Sequence, residues 1–357
     1  GLFINLQAFF INILPQGQPW VLRLPAAIIG ILTVVGLYFL VRRLFAKERL
    51  GETIAGLSAF LLASSVWHIT FSRTGFRAIM APFFLVWSLY FLFTALSFKG
   101  IKRWLLLLAT GIVYGLGFHT YIAYRITPLI FLALFGWWYF KEKQSLKVLA
   151  ERALLLAAGA MMAAAPLVAY FINHGSELFY RVGQLSIFSE PTWPWLLLKN
   201  IALFLFMPFA LGDFNDRHNF GALPGLSLVA IFGIIALVLF GPRIKEFFSS
   251  KFKLSFWLFF LVAWILVGAI PAVITNEGQP HFLRSFLILP PLIILAAWGL
   301  SLVSDYFFSR AKIVWQRWFW IMIITLSIFQ VGVQYFVFYA QSDATASAFN
   351  RTCYDVA

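Results

Sequence analysis

Ten apolar stretches, each close to the length a helix needs to cross a bilayer, recur along this chain of 357 residues. A spanning helix takes about 20 predominantly apolar residues. The stretches lie at roughly 20–41, 53–69, 78–97, 104–120, 126–140, 152–172, 222–241, 254–273, 286–304 and 317–338, with 126–140 the shortest. Lipid offers no partner to a backbone amide, so only helices and closed barrels span it. Continuous apolar runs of this length predict helices. The expected fold is therefore all-α: a polytopic transmembrane helix bundle. Composition agrees, with 62% hydrophobic and only 11% charged residues, outside the range of soluble domains.

Two further apolar segments do not fit a span. Residues 1–14 stop at Pro15 and are too short, and 195–211 is interrupted by Lys199, Asn200 and Pro208. Both are expected to lie in the interface as amphipathic helices.

The formal net charge is +14. In a soluble protein that would suggest nucleic acid, but here the charges sit in short blocks between apolar runs, and no nucleic-acid motif accompanies them. The links 42–52, 98–103, 141–152, 242–253 and 305–317 hold 18 of the 27 basic residues and six acids. By the positive-inside bias these links are cytoplasmic. If 195–211 also spanned, the later basic links would face outside, so 173–221 is expected to be one long outer loop. The same bookkeeping puts Gly1 outside and predicts an earlier span upstream of it. Residues 1–338 are then the membrane domain, and 339–357 begin an extracytoplasmic C-terminal segment.

The chemistry collects in the outer links. The first runs Trp67-His68-Ile69-Thr70-Phe71-Ser72-Arg73-Thr74-Gly75-Phe76-Arg77, and the second is His119-Thr120-Tyr121-Ile122-Ala123-Tyr124-Arg125. The long loop ends Gly212-Asp213-Phe214-Asn215-Asp216-Arg217-His218-Asn219, and the fourth link is Thr275-Asn276-Glu277-Gly278-Gln279-Pro280-His281-Phe282-Leu283-Arg284. Arginine on the outer side opposes the topological bias and is costly near hydrocarbon. It suits a site that grips phosphate at the membrane surface, because guanidinium makes bidentate contacts to phosphate.

Each candidate has a plainer reading. Arg23, Arg77 and Arg125 could be boundary anchors whose heads snorkel to water. Tyr121 and Tyr124 could belong to the aromatic belt. The Asp213–Asn219 cluster could be a solvated turn, and Glu277 a helix-flanking charge. Arg73 and Arg77 share a face if that segment is helical. His281 and Arg284 do so if a helix starts at 281. Asn350-Arg351-Thr352 matches a glycosylation acceptor, a tripeptide common by chance. Cys353 is the only cysteine, so no disulfide framework or thiol metal site is expected. Phosphate-cradling glycine loops, GxSxG and HExxH are absent from the sequence. The near absence of charge within the apolar runs argues against a midplane transport site.

These outer links resemble a known family. Arg23-Leu24-Pro25 leading into a span that ends Arg42-Arg43-Leu44-Phe45 is similar to the second helix of the dolichyl-phosphate-mannose–protein mannosyltransferase superfamily. Bacterial aminoarabinose transferases share its architecture, that of the membrane-embedded GT-C glycosyltransferases. Trp67-His68-Ile69 with Phe71-Ser72-Arg73 resembles the loop after that family's third helix. Gly212-Asp213, Arg217-His218-Asn219 and Pro224 resemble the end of its long outer loop, and Pro280 to Arg284 its next one.

The resemblance implies an inverting transfer at the outer face of the plasma (inner) membrane. A sugar would pass from a polyprenyl-phosphate carrier to a hydroxyl of a protein, lipid or glycan acceptor, with no cofactor and no metal. It implies substrate-binding roles for Arg73, Arg77, His119, Tyr121, Arg125, Asp213, Arg217, His218, His281 and Arg284. The family's acidic base lies in an outer loop that would precede Gly1; within the chain, Asp213 and Glu277 are the fallback. A lipid-linked sugar flippase and a non-catalytic scaffold subunit remain the alternatives.

Overall fold

The computed structural model describes residues 1–15, 18–221, 223–241, 254–308 and 313–349. The basic link 242–253, Arg310, Lys312, the Asn350-Arg351-Thr352 tripeptide and Cys353 lie outside the described residues.

All ten apolar stretches fold as helix. In chain order the helices are α1 (Leu2–Ile13), α2 (Pro19–Leu44), α3 (Gly51–Ala63), α4 (Val66–Thr74), α5 (Met80–Ala95), α6 (Gly100–Gly117), α7 (Pro128–Phe140), α8 (Leu146–Asn173), α9 (Gly175–Leu185), α10 (Trp193–Phe206) and α11 (Leu228–Phe240). They are followed by α12 (Leu254–Val273), α13 (Phe282–Phe308), α14 (Ile313–Tyr339) and the short α15 (Asp343–Ala348). Eight described helices are long and apolar enough to cross a membrane, and the bent pair α3–α4 would make nine.

That differs from the ten expected, for local reasons. The stretch 222–241 starts its helix late: the Ser227 side chain accepts from Ala230 N at 3.2 Å, an N-cap that sets the first turn at Leu228. The 13 residues left rise only about 20 Å. Helix α6 starts at Gly100, whose φ of +59° turns the chain, and it carries Lys102 and Arg103 in its first turn. The stretch 53–69 is bent by 55°. There Ser64 Oγ folds back on Phe60 O and Ser65 Oγ caps the restarted helix at His68 N.

Segment 193–211 also passes the test of length and composition, yet it stays at one end of the bundle. Asn200 Nδ2 donates to Val273 O at 2.9 Å and Thr275 O at 2.7 Å, where α12 ends. Past α10, Gly225 N and Leu226 N bond to Met207 O and Pro208 O, just before α11 begins. Upstream, Ile187 N reaches Ile274 O at 3.0 Å. Start, middle and end are thus tied to segments at the same end as the 274–284 link. The described basic links gather at the opposite end, where Arg42 pairs with Glu52 at 3.1 Å and Arg49 with Asp305.

Glycine sets the closest helix contacts. A Cβ on Gly299 would lie 1.8 Å from Gly233 O, and one on Gly159 would lie 2.2 Å from Leu108 O. Helices α11 and α13, and α6 and α8, therefore meet backbone to backbone, which maximises dispersion contact where lipid supplies no hydrophobic drive. Helix α13 is the axis of the bundle: 94% of its most apolar window is buried.

Candidate functional site

The end of the bundle that carries the 274–284 link holds a cavity of about 720 Å³. Six of the sequence candidates line it: Arg77, His119, Tyr121, Arg125, His281 and Arg284. They come from three separate stretches of chain, so the cavity exists only in the folded bundle. Leu167, Ile270, Pro271 and Ile274 form an aliphatic wall beside the charged groups.

Arg284 sits in the first turn of α13, with His281 as the N-cap residue. The guanidinium is aimed by its neighbours: Nη1 donates to Thr275 Oγ1 at 3.0 Å and to the Glu277 carbonyl. Gln279 Nε2 also donates to Thr275 Oγ1, at 2.8 Å. The Gln279–Pro280 peptide is cis. Arg125 is held from the other side: Nη1 donates to Leu178 O at 2.6 Å, and its guanidinium lies 5.1 Å from the Phe171 ring centre. His119 is tied to α8 by a bond between Nε2 and Ala163 O at 2.9 Å.

Beneath this wall lies a buried polar knot. Asp213 is 2% exposed and accepts from three donors: Asn215 N at 2.8 Å, His218 Nδ1 at 2.8 Å and Phe282 N at 2.6 Å. Asn219 Nδ2 closes the turn on Asp213 O and Leu223 O. Gly212 is required here, with a φ of +64° and Leu223 O 1.8 Å from where a Cβ would be. His218 packs edge-on to Phe71 and Phe76, and Phe282 stacks on Trp67 at 4.3 Å. A buried carboxylate is tolerable when so fully bonded. Asp213 thus fastens the end of the long loop to the start of α13, setting the backbone from which His281 and Arg284 project.

His281 Nδ1 stops 3.9 Å from Asp213 Oδ2, beyond a hydrogen bond. Burial, with the nearby Arg284 charge, pushes its pKa down to about 3 against the opposing pull of Asp213. His281 therefore enters the cavity as a neutral ring, able to donate or accept a hydrogen bond, and not as a cation. Asp213, His218 and His281 each offer one ligand atom, all within 4.8 Å of one another. Two imidazoles and a carboxylate suit a zinc-type ion. An ion there would have to displace the His218–Asp213 hydrogen bond.

The other candidates are placed elsewhere. Helix α4 ends at Gly75, with φ +79°, so Arg73 and Arg77 do not share a helix face. Arg73 turns away to lie 5.3 and 5.4 Å from the ring centres of Tyr335 and Phe336. Arg217 Nε donates to Ala348 O at 2.8 Å, binding the long loop to α15. His218 is in the knot, and Glu277 is not among the residues lining the cavity, although its carbonyl accepts from Arg284. Of the two fallback bases, neither Asp213 nor Glu277 lines the cavity. Tyr124 is core, fully buried against Gly117.

Of the polar lining residues that the sequence did not single out, Thr275 and Glu177 bear most on the site. Thr275 was legible only as part of a polar link. Glu177, in the first turn of α9, is the one carboxylate among the described cavity residues. Its signal was an acid opening an amphipathic segment inside the long loop.

The fold and cavity define a polytopic helical membrane protein with a cationic pocket at one end of its bundle. The family model described as dolichyl-phosphate-mannose-protein mannosyltransferase matches residues 2–171. The putative mannosyltransferase YkcB of Bacillus subtilis (strain 168) is 33% identical over 115 residues, which is 32% of this chain and 15% of that protein. The crystal structure of ArnT from Cupriavidus metallidurans bound to undecaprenyl phosphate is similar with a TM-score of 0.50 and 12% identity, over 97% of this chain and 63% of that one. Residues 2–171, a little under half of the chain, match that family's model, and the fold is similar to that of ArnT over 97% of the chain. The chain spans less than two thirds of the length of either relative.

Proposed function

We propose that this protein transfers a sugar from a polyprenyl-phosphate carrier to an acceptor hydroxyl, with inversion, at the extracytoplasmic face. The observation that carries the reading is the charge of the cavity beside its aliphatic wall. Arg77, Arg125 and Arg284 supply three positive charges and Glu177 one negative, while His281 is neutral, so the Arg and Glu side chains of the lining sum to 3 − 1 = +2. A lipid-linked sugar phosphate is a phosphodiester with one negative charge. The polyprenyl phosphate that leaves is a monoester, carrying about −1.5 to −2 at neutral pH. The lining therefore favours the charge that develops as the bond to the anomeric carbon breaks, which is the kind of interaction that accelerates the step. The wall of Leu167, Ile270, Pro271 and Ile274 suits the first isoprene units. ArnT was crystallised with undecaprenyl phosphate, which makes that lipid the first probe to use. The asymmetry of the basic links supports the outer face.

The test is the full-length protein in nanodiscs given undecaprenyl-phosphate mannose and, in separate arms, hydroxyl-bearing peptide, lipid and glycan acceptors, with undecaprenyl phosphate release and mannose on the acceptor both followed. Release above a protein-free control supports the transferase. A flippase would move the intact lipid between leaflets without cleaving it, and a scaffold would do neither. Absence of both lipid binding and release would overturn the reading.

A further inference from the structure

We propose that Glu177 is a substrate-binding residue that accepts hydrogen bonds from hydroxyls of the sugar ring next to the carrier phosphate. This rests on the reading of the cavity as a lipid-phosphate sugar site and adds which group holds the sugar.

Helix α9 contributes Glu177, Leu178 and Leu185 to the cavity. The helix buries none of its described side chains and is held in place by a few polar ties. Arg125 Nη1 grips Leu178 O at 2.6 Å, and Asn276 N donates to Leu185 O at 2.9 Å. Helix α9 is thus tied near its start to the 119–126 segment and at its end to the 274–284 link, and Glu177 in its first turn is among the lining residues.

A carboxylate in that position is hard to explain by phosphate alone. Two unit charges of like sign about 8 Å apart repel by about 2 kcal/mol at an effective dielectric of 20. A pocket for phosphate only would bind better without it. A carboxylate is useful beside a neutral, hydroxyl-bearing group, because it accepts only and offers about four lone-pair sites. The Tyr170 hydroxyl takes one of them, donating to Glu177 Oε2 at 2.7 Å. Tyr170 in turn stacks on His174 at 4.4 Å, so this donor is itself fixed. One side of the carboxylate is oriented by protein, and acceptor sites remain for vicinal sugar hydroxyls.

The plain alternative is that Glu177 is an acid in the first turn of a helix, favoured by the helix dipole, whose one task is to fasten α9 to α8 through Tyr170. The experiment separates the two with a pair of lipid probes, undecaprenyl phosphate and undecaprenyl-phosphate mannose, bound to the full-length protein in nanodiscs. Glu177→Gln removes a like charge facing both lipids, so the bare lipid phosphate is expected to bind as well as before or tighter, while the mannose-bearing lipid loses about tenfold relative to it. Arg284→Ala is expected to weaken both. Tyr170→Phe removes the fastening bond but leaves the carboxylate, and is expected to leave the ratio of the two affinities within twofold of wild type. Equal weakening of both lipids in Glu177→Gln would overturn the assignment. So would a Tyr170→Phe variant with the same selective loss, since fastening would then explain it. Failure of the wild-type protein to bind either lipid would refute the underlying reading of the cavity instead.

Discussion

Arg284 offers the sharpest test of the cavity. Both hydrogens of its Nη1 are used within the 274–284 link, one on Thr275 Oγ1 and one on the Glu277 carbonyl. The plane of the guanidinium is therefore set before a ligand arrives, and little rotamer entropy is lost on binding. Arg284→Ala removes a charge-assisted contact worth about 1.5–3 kcal/mol, or roughly 10–150-fold in affinity for undecaprenyl phosphate. Binding should weaken without vanishing, because Arg77 and Arg125 still leave the lining positive. Arg284→Lys should recover only part of the loss, since an ammonium cannot reproduce the planar two-pronged contact. The assay is equilibrium binding of undecaprenyl phosphate to the full-length protein in nanodiscs, with thermal unfolding measured in parallel. Arg317→Ala, exposed near the start of α14 at the other end of the bundle, is the matched loss of a positive charge. Equal affinities in Arg284→Ala and Arg317→Ala would refute the reasoning, and Arg284 would then be a clamp for its own loop.

Three further outcomes follow from the packing. Asp213→Ala leaves His218 Nδ1 and the amides of Asn215 and Phe282 without their acceptor; at about 1–3 kcal/mol for each buried orphan, the unfolding temperature in detergent should fall by several degrees, and an unchanged value would contradict the knot. Gly299→Ala forces a Cβ against Gly233 O, a backbone atom that cannot rotate aside, whereas Gly136→Ala meets nothing within 4 Å; the first should destabilise by more than about 1–3 kcal/mol and the second should be neutral or stabilising, as read by unfolding temperature. For His281, the folded pKa of about 3 lies below the ordinary 6.5, so the unfolded chain binds more protons between those values. Its stabilising contribution is complete above pH 6.5 and is lost as pH falls toward 3, with a ceiling of about 4–5 kcal/mol. His281→Asn should flatten that acid limb in unfolding temperatures taken at pH 7 and pH 4, and an identical slope in variant and wild type would count against a buried neutral ring.

The helices were legible because lipid removes the alternatives: a long apolar run has no other way to satisfy its amides. Their ends were not, because ends are set by single capping residues. Ser227 moved the start of α11 to Leu228, and Ser64 with Ser65 bent what read as one span. For 193–211 it was charge alone that argued against a span. Its sequence is apolar enough to cross. The structure supplies the local reason, Asn200 bonded to the end of α12.

The site was legible to the extent that charge out of place is informative. Arg77, Arg125 and Arg284 stood out against the topological bias, and the fold brings all three to one cavity. Arg73 and Arg217 stood out equally, but they serve the join between the outer loops and the C-terminal end. One lies between Tyr335 and Phe336, and the other is bonded to Ala348 O. Spacing could not separate these two uses. Gly75 breaks the helix between Arg73 and Arg77, so a spacing of four residues that would put them on one helix face does not do so here. Glu177 was invisible for the converse reason. An acid on the outer side agrees with the topological bias, and in the first turn of a helix it agrees with the dipole as well. A residue that violates no local rule draws no notice in sequence. Its interest arises only where the fold sets it among three arginines, where a lone carboxylate must either weaken phosphate binding or hold something phosphate is attached to.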